Sequence, residues 1–150
     1  MLQLTQKLKS GNMSILEVPY PAMSPGTILV KNHYSLISAG TEGSTVKAAR
    51  KGYIGKAKER PQQVKQVLDT LRSQGIIQTY RAVMKKLDAQ SPLGYSCAGE
   101  VIGVGSGVRG FNVGDLAACG GAAACHAEIV AVPVNLCVKL HPGGELKQAA

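Results

Sequence analysis

The second half of this chain, between about residues 92 and 142, alternates short apolar runs with sequences typical of tight turns. The turns are Gly105-Ser-Gly, Asn112-Val-Gly-Asp and Pro133-Val-Asn. The predicted strands cover residues 97–104, 116–118, 127–132 and 136–140. Short strands at this spacing indicate a small antiparallel barrel. Because the chain has 18 glycines, one Phe and no Trp, we expect Val, Ile, Leu and Ala to fill its interior.

The first 42 residues also have the alternation of strands. The segment 3–17 is predicted to form a hairpin that turns at Ser10-Gly-Asn, and a strand is expected over 27–37, after the turn signal Ser24-Pro-Gly. These strands precede the barrel strands and are separated from them by a segment of different character.

Residues 43–88 are predicted to be helical. One helix begins near Pro61, because apolar residues recur after it at helical spacing and Gly75 is suited to end it. A second helix is expected over about 76–87, and a short one over 44–50. The stripe of the first helix consists of Val64, Val67, Leu68 and Leu71.

The formal charge of +8 lies entirely in this helical segment, where eleven Lys and Arg residues between 47 and 88 face three acidic residues. A solvated helical face explains it most simply. Alternatively, the segment forms an electropositive rim that attracts an anionic sugar substrate or an acidic partner. Nucleic acid is the least favoured ligand, because Tyr53 and Tyr80 are the only aromatic residues in the segment for base stacking.

The four cysteines form no Cys-x-x-Cys pair and lie among Ala and Gly. We predict buried free thiols in a reducing cytoplasm, and no zinc site built from them. The N-terminus has no apolar signal core and no apolar run is long enough to span a bilayer, so we expect a cytoplasmic protein with no membrane partner. The cysteines are Cys97, Cys119, Cys125 and Cys137.

The run PLGYSCAGEVIGVGSGVRGFNVGD, at 92–115, resembles the GHE-x-x-G-x-V…VG-x-G-V-x-x-F-x-V-GD signature of the medium-chain dehydrogenase/reductase family, the zinc-type alcohol dehydrogenase-like proteins. Residues 121–142, 25–31 and 38–42 are similar to other motifs of that family, in the right order. The resemblance implies a GroES-like antiparallel barrel over 1–150, mainly β, with the helical basic insert at about 43–90 between the N- and C-terminal strand groups. It also implies a Rossmann domain that is absent from this chain.

The glycines of 103–107 do not indicate a dinucleotide site. That fingerprint requires a helix directly after the glycines, whereas here a further turn and strand are predicted. We therefore interpret them as part of a hairpin loop. In the corner that follows, apolar residues are expected to anchor a Gly-Asp turn in which Gly114 takes a positive φ and Asp115 bonds nearby backbone N–H groups.

The zinc-binding positions of the family signature carry other residues in this chain. Ala39 stands where zinc members have a cysteine ligand, Tyr95 replaces their histidine ligand, and Ser96 replaces the acid that follows. Alanine has no donor atom, and a neutral phenol is a poor zinc ligand. The resemblance therefore extends to the scaffold but not to the metal, and we predict no catalytic zinc.

Polar residues remain at the site that the resemblance implies. Thr41 matches a family hydroxyl that passes the substrate's proton, and the phenol of Tyr95 can donate a hydrogen bond to a carbonyl. A structural role is the alternative for each candidate, for instance a salt bridge or helix cap for Glu42. The predicted catalytic residues are Thr41, Glu42, Tyr95, Ser96 and His126, with Ser38 as a further candidate.

A narrower resemblance is to a bacterial subgroup in which this half is followed by a Gfo/Idh/MocA-type oxidoreductase module, often linked to surface polysaccharide synthesis. The resemblance implies an oxidoreductase that uses NAD or NADP, bound outside this chain, on an alcohol or carbonyl, with sugar nucleotides as one substrate class. Since the chain stops where the family begins its link to the Rossmann domain, we expect a fragment that is inactive alone. Its expected partners are that Rossmann domain and a small-molecule substrate, with a second copy of the chain as a further option. The alternatives are a non-catalytic interaction or regulatory module and a basic polyanion-binding protein.

Overall fold

The computed structural model describes most of the chain outside the predicted helical insert. Between residues 43 and 88 it describes four residues, Gly43, Ile77, Gln78 and Met84, and all four are helical. The three predicted helices otherwise lie outside the described residues. The described part comprises residues 1–7, 10–40, 43, 77–78, 84, 89–141 and 143–150.

The described residues form two antiparallel sheets and little helix. The three-stranded sheet has the order β2-β1-β4, and the five-stranded sheet has the order β7-β3-β5-β6-β8. The only regular α-helix among the described elements, α1, is a short one near the C-terminus. The elements are β1 (Leu2–Lys7), β2 (Met13–Glu17), β3 (Thr27–Ser35), β4 (Gln90–Pro92), β5 (Ser96–Val104), β6 (Leu116–Gly120), β7 (Ile129–Pro133), β8 (Cys137–Lys139) and α1 (Leu146–Ala149).

The chain divides into two compact units. The larger contains the five-stranded sheet and comprises Met1–Thr5, Ser14–Ser38 and Pro92–Ala150. The smaller comprises Gln6–Met13 and Ala39–Ser91. None of the helices in the described part is long and apolar enough to cross a membrane.

The predicted N-terminal hairpin is confirmed as β1 and β2. Its turn is closed by two backbone hydrogen bonds, from Lys7 N to Asn12 O at 2.9 Å and from Gly11 N to Lys7 O at 2.8 Å. Gly11 has a φ of 74°, which a residue with a side chain rarely adopts. The Ser10-Gly-Asn signal therefore turns the chain by the mechanism that its glycine predicts.

The core of the larger unit lies on one face of the five-stranded sheet. Ile28, Val30, Val101 and Val132 have no exposed surface, because alternate residues of β3, β5 and β7 point inward. Burial of each such side chain contributes about 1.5–3 kcal/mol to folding. Leu93 is buried as well, and smaller cysteine and alanine residues fill the remaining space. The smaller core residues are Cys97, Ala117, Cys119, Ala124 and Cys125.

The corner between β5 and β6 forms as predicted. Val108 and Phe111 pack against the core, and Gly114 has a φ of 91°. The carboxylate of Asp115 accepts a hydrogen bond from Asn112 N at 2.7 Å and pairs with Lys139 Nζ at 2.7 Å. The ion pair with Lys139, and then the backbone bond, lower the pKa of Asp115.

The glycine run at the end of β5 serves a close backbone approach. Gly105 N donates to Thr27 O at 2.9 Å, and Gly26 N donates to Ser106 O at 2.9 Å. A Cβ on Gly105 would collide with the carbonyl oxygen of Ser24. The run leads into the antiparallel partner β6, so its interpretation as a hairpin connection is confirmed.

Three details differ from the predicted strands. β7 begins at Ile129 instead of residue 127, because Ala127 makes only an isolated bridge to Gln3. Residues Val134–Leu136 form a 3₁₀ turn, which shortens the last strand to Cys137–Lys139. The short strand β4, ahead of the barrel signature, was not predicted.

Candidate active site

The end of β3 meets the beginning of β5. The two strands are antiparallel, Ser35 pairs with Cys97, and Leu36 N donates to Ser96 O at 3.1 Å. Ser35 ends β3 and Ser96 begins β5, and Tyr95 directly precedes β5. The polar residues at 95 and 96 of the barrel signature therefore lie at or next to this meeting point.

A β-bulge just before this point sets the direction of the β3 side chains. Asn32 pairs with Gly99 and Tyr34 with Ala98, so His33 is the extra residue. Without the bulge, Asn32 and Ser35 would point to opposite faces, since side chains alternate along a strand. The additional residue puts both on the same face, where each contacts the segment 125–127.

The segment 125–128 is held against the strands by hydrogen bonds on both sides. Asn32 Nδ2 donates to Ala127 O at 2.7 Å, and Asn32 N donates to Glu128 O at 2.9 Å. Leu2 N donates to the Glu128 carboxylate at 2.7 Å. The segment has no regular structure of its own, and these bonds to β1 and β3 fix its position.

His126 is fixed by its backbone and contacts Ser35 through its ring. Its N–H donates to Leu93 O at 2.7 Å, and its carbonyl accepts from Leu4 N at 2.8 Å. The ring Nδ1 lies 2.8 Å from Ser35 Oγ, and the tautomer decides which of the two donates. Ser35 is exposed and His126 is half-buried. A histidine and a hydroxyl at this separation can hold or transfer one proton between them.

Gly94 allows the ring of His126 to lie against the residues that precede β5. Its φ is 97°, and an added Cβ would lie 2.7 Å from His126 N and 2.8 Å from Nδ1. Any side chain at this position would therefore displace the histidine. Tyr95, which follows Gly94 in the chain, is half-buried.

Three of the five predicted site residues lie among the described residues, and their catalytic roles stay a prediction. Tyr95, Ser96 and His126 are half-buried in the larger unit. His126 reaches the meeting point of β3 and β5 through its ring contact with Ser35, and Ser96 reaches it through its backbone carbonyl, which accepts from Leu36 N. Tyr95 directly precedes β5 in the chain. Thr41 and Glu42 lie outside the described residues. Ser38 is half-buried in the same unit, and Ala39 is exposed in a turn of the smaller unit.

Ser35 was missed by the sequence analysis. It lies in a run of polar and aromatic residues, Asn32-His-Tyr-Ser, that ends a strand, and nothing local distinguishes it. Its contact depends on a bulge and on a residue ninety-one positions away in the chain. The sequence offered only a general signal, which is that hydroxyls at the ends of strands often belong to functional sites. Many serines meet that description, so the signal does not distinguish Ser35.

Among the described residues, no evident group is arranged to hold a metal or a nucleotide. Within the part of the chain that the structure describes, no three His, Cys, Asp or Glu residues are arranged to hold a metal ion. The glycines at 103–107 pack against the Ser24–Thr27 turn and lead to a strand, so they do not fit a pyrophosphate. We assign none of the described residues to a cofactor, and the absence of catalytic zinc stays a prediction.

Comparison with solved structures shows which proteins share this fold. A quinone oxidoreductase from Coxiella burnetii matches 100% of this chain with 21% identity and a TM-score of 0.63, over 40% of its own length. The Escherichia coli quinone oxidoreductase in complex with NADPH matches 99% of the chain at 18% identity and a TM-score of 0.63, over 36% of its length. Galactitol-1-phosphate dehydrogenase from Escherichia coli matches 99% at 15% identity and a TM-score of 0.66, over 40% of its length.

These matches establish the fold and its extent. The expected GroES-like antiparallel barrel is confirmed, and the chain spans about two fifths of each of these oxidoreductases. No protein-family model matches the sequence, and no curated protein matches it. At 15–21% identity the likeness carries the architecture alone, so the reaction has to be argued from the site.

Proposed function

We propose that this chain is the substrate-side domain of an NAD(P)-dependent oxidoreductase that acts on an alcohol or carbonyl group without zinc. The observation that supports this most is the contact between His126 Nδ1 and Ser35 Oγ, in a fold shared with oxidoreductases. A fixed imidazole, a hydroxyl and a phenol provide proton donors for a carbonyl oxygen that gains negative charge.

In this proposal the chain supplies the proton and a second domain binds the nicotinamide. Tyr95 donates a hydrogen bond that orients the substrate oxygen. The pair of Ser35 and His126 holds a proton at Oγ or Nδ1 and replaces the one that the substrate takes up. The contact with Gly94 and the backbone bonds of His126 keep the ring in place during this exchange.

The substrate class that we propose is an anionic sugar derivative, such as a sugar nucleotide or an acidic saccharide. Eleven basic residues between 47 and 88 give the insert a net charge of +8, which attracts anions to the domain that carries them. A sugar hydroxyl or keto group is also a suitable partner for hydride transfer. Nucleic acid is the competing anion, and a salt-sensitive shift with DNA or RNA would favour it.

The genomic context gives the quickest test. We expect the reading frame beyond residue 150 to encode a strand, a Gly-x-Gly-x-x-Gly turn and a helix, which together bind a dinucleotide. A stop codon directly after Ala150 would instead favour a non-catalytic interaction module that kept the barrel.

The catalytic roles of His126 and Tyr95 can be tested in the longest protein that the gene encodes. We expect His126→Gln to lower kcat/KM by about 100-fold and Tyr95→Phe by about 10-fold, because each loses a proton donor. Oxidation of reduced nicotinamide with a panel of quinones, aldehydes and sugar nucleotides measures the effect. His141→Gln, at an exposed histidine outside the site, is the control.

Two results would contradict the proposal. If His126→Gln is as active as His141→Gln, and both Tyr95→Phe and Thr41→Val leave the kinetics unchanged, the cleft is not used for catalysis. If metal analysis of tag-free protein finds one tightly held zinc per chain, the zinc-free chemistry is wrong.

A further inference from the structure

Three cysteines stand in one row across three neighbouring strands of the larger unit. Cys97 on β5 pairs with Cys119 on β6, and Cys119 pairs with Cys137 on β8. Directly paired residues point to the same face of a sheet, so the three thiols lie side by side. Cys97 and Cys119 are buried, whereas Cys137 is half-buried on the edge strand of the sheet.

The two pairs differ in their backbone hydrogen bonds, and this difference decides which thiols are closer. Leu140 N donates to Leu116 O, so Leu116 and Leu140 form a hydrogen-bonded pair. Hydrogen-bonded and non-hydrogen-bonded pairs alternate along an antiparallel ladder. Cys119 and Cys137 lie three pairs further along, so they form a non-hydrogen-bonded pair. Side chains approach more closely in such pairs, whose Cα atoms are about 4.5 Å apart. By the same reasoning from Val101 N and Asp115 O, Cys97 and Cys119 form a hydrogen-bonded pair, with a wider separation.

The sulfur atoms of Cys119 and Cys137 are already in contact. Their Sγ atoms lie 3.6 Å apart, and Cys137 Sγ also donates to Pro133 O at 3.3 Å. The distance between the two sulfurs has to shorten by only about 1.5 Å to reach the S–S bond length of about 2.05 Å. The Cα separation typical of a non-hydrogen-bonded pair, about 4.5 Å, also lies in the range that disulfides span.

We propose that Cys119 and Cys137 form a reversible disulfide that links the edge strand β8 to β6 when a small cellular disulfide oxidises them. The site is a modification site on the barrel itself, separate from the pair of His126 and Ser35. It does not depend on the proposed oxidoreductase function.

The exchange proceeds in two steps. The Cys137 thiolate, nearer to solvent, attacks one sulfur of oxidised glutathione, forms a mixed disulfide and releases one glutathione thiolate. The Cys119 thiolate then attacks the Cys137 sulfur and expels the second glutathione. Two thiols lose two electrons to oxidised glutathione, and their two protons end on the two glutathione thiols.

The reduced pair is slow to react, because its protons are held tightly. The hydrogen bond with Cys119, together with burial, raises the pKa of Cys137. In Cys119, the bond to Cys137 lowers the pKa, but the bond to Cys97 and burial outweigh it and raise the pKa to about 12. The Cys119 bond lowers the pKa of Cys97 in turn, against the effect of burial. Measurements should therefore be made at equilibrium and not as initial rates.

Peptide mapping separates Cys97 and Cys137 from Cys119 and Cys125, which share one peptide and are distinguished by single substitutions. Trypsin leaves residues 110–139 as one peptide with Cys119, Cys125 and Cys137, and Cys97 on the peptide 87–109. Cleavage after Glu128 then separates 110–128 from 129–139 unless a disulfide joins them. The 150-residue chain is equilibrated with oxidised glutathione under native conditions, alkylated, digested in this order and analysed with and without reduction.

We expect 110–128 and 129–139 to stay linked until reduction, with complete loss of the link in Cys119→Ser and in Cys137→Ser. Cys125→Ser is the matched control, since its thiol is equally buried but accepts from Gln3 Nε2 at 3.2 Å and lies outside the row. It should retain the link at the wild-type yield. Unfolding of each reduced variant confirms that it is folded before oxidation.

Other products would overturn the proposal. A link from the peptide 87–109 would place the bond at Cys97, and loss of the link in Cys125→Ser would place it at Cys125. A chain that stays fully reduced at equilibrium, or that stops at the glutathione mixed disulfide, would show that the pair does not close.

Discussion

At the scale of single residues, Gly94 has the strongest local constraint in the candidate site. It combines a φ of 97° with a position at which a Cβ would lie 2.7 Å from the backbone N of His126. Gly110 offers a close comparison, because its φ is 87° and nothing lies within 4 Å of the position of its Cβ. A substitution at Gly110 therefore measures the free-energy cost of the backbone conformation alone, whereas one at Gly94 adds the cost of the steric contact with His126.

We expect Gly110→Ala to lower the free energy of unfolding by about 1–2 kcal/mol, the cost of a left-handed conformation for alanine. Gly94→Ala should cost about 3 kcal/mol or more, because it adds steric overlap with a backbone that cannot move freely. Urea unfolding of both variants measures the difference. Equal losses would mean that the approach of Gly94 to His126 is not tight.

At the scale of elements, the Asp115 carboxylate joins the β5–β6 corner to β8. It accepts from Asn112 N within the corner and pairs with Lys139 on the neighbouring strand. Because both contacts favour the charged form, its pKa is lower in the folded chain than in the unfolded one. Its contribution to stability is therefore complete above the unfolded pKa, about 3.9, and is lost as the pH falls through the lower folded pKa.

This predicts how Asp115→Asn responds to acid. The variant should have a lower thermal midpoint than the parent at neutral pH, and the gap should close as the pH falls below about 4. Lys139→Gln, which keeps the bond to Asn112, should show a smaller gap that closes over the same range. If the difference in thermal midpoint between the parent and Asp115→Asn stays constant down to about pH 2, the charge of Asp115 is not involved.

The elements that could be predicted from the sequence are those whose signals are local. The turn at Gly11, the strand after Ser24-Pro-Gly and the Gly-Asp corner each depend on residues within a few positions of each other. The bulge at His33, the pairing of Ser35 with His126 and the row of cysteines depend on register between strands far apart in the chain. No local propensity specifies that register, so these features emerge only in the folded sheet.

At the scale of the whole molecule, the barrel provides one part of a proposed enzyme. It spans 36–40% of the oxidoreductases that share its fold. Within the described residues it offers proton donors at the meeting point of β3 and β5 but no arrangement that fits a nucleotide or a metal. In the proposed function, a second domain brings the hydride donor to the substrate.

The central claim is that Ser35 and His126 act as one proton-transferring unit. A double-mutant cycle in kcat/KM, made in the longest gene product with Ser35→Ala, His126→Gln and the combined variant, tests it most directly. If the pair acts as a unit, the combined variant should be no slower than His126→Gln alone, because the second change removes a partner that has already lost its function. Losses that multiply would contradict the claim, as would a His126→Gln variant with unchanged kcat/KM.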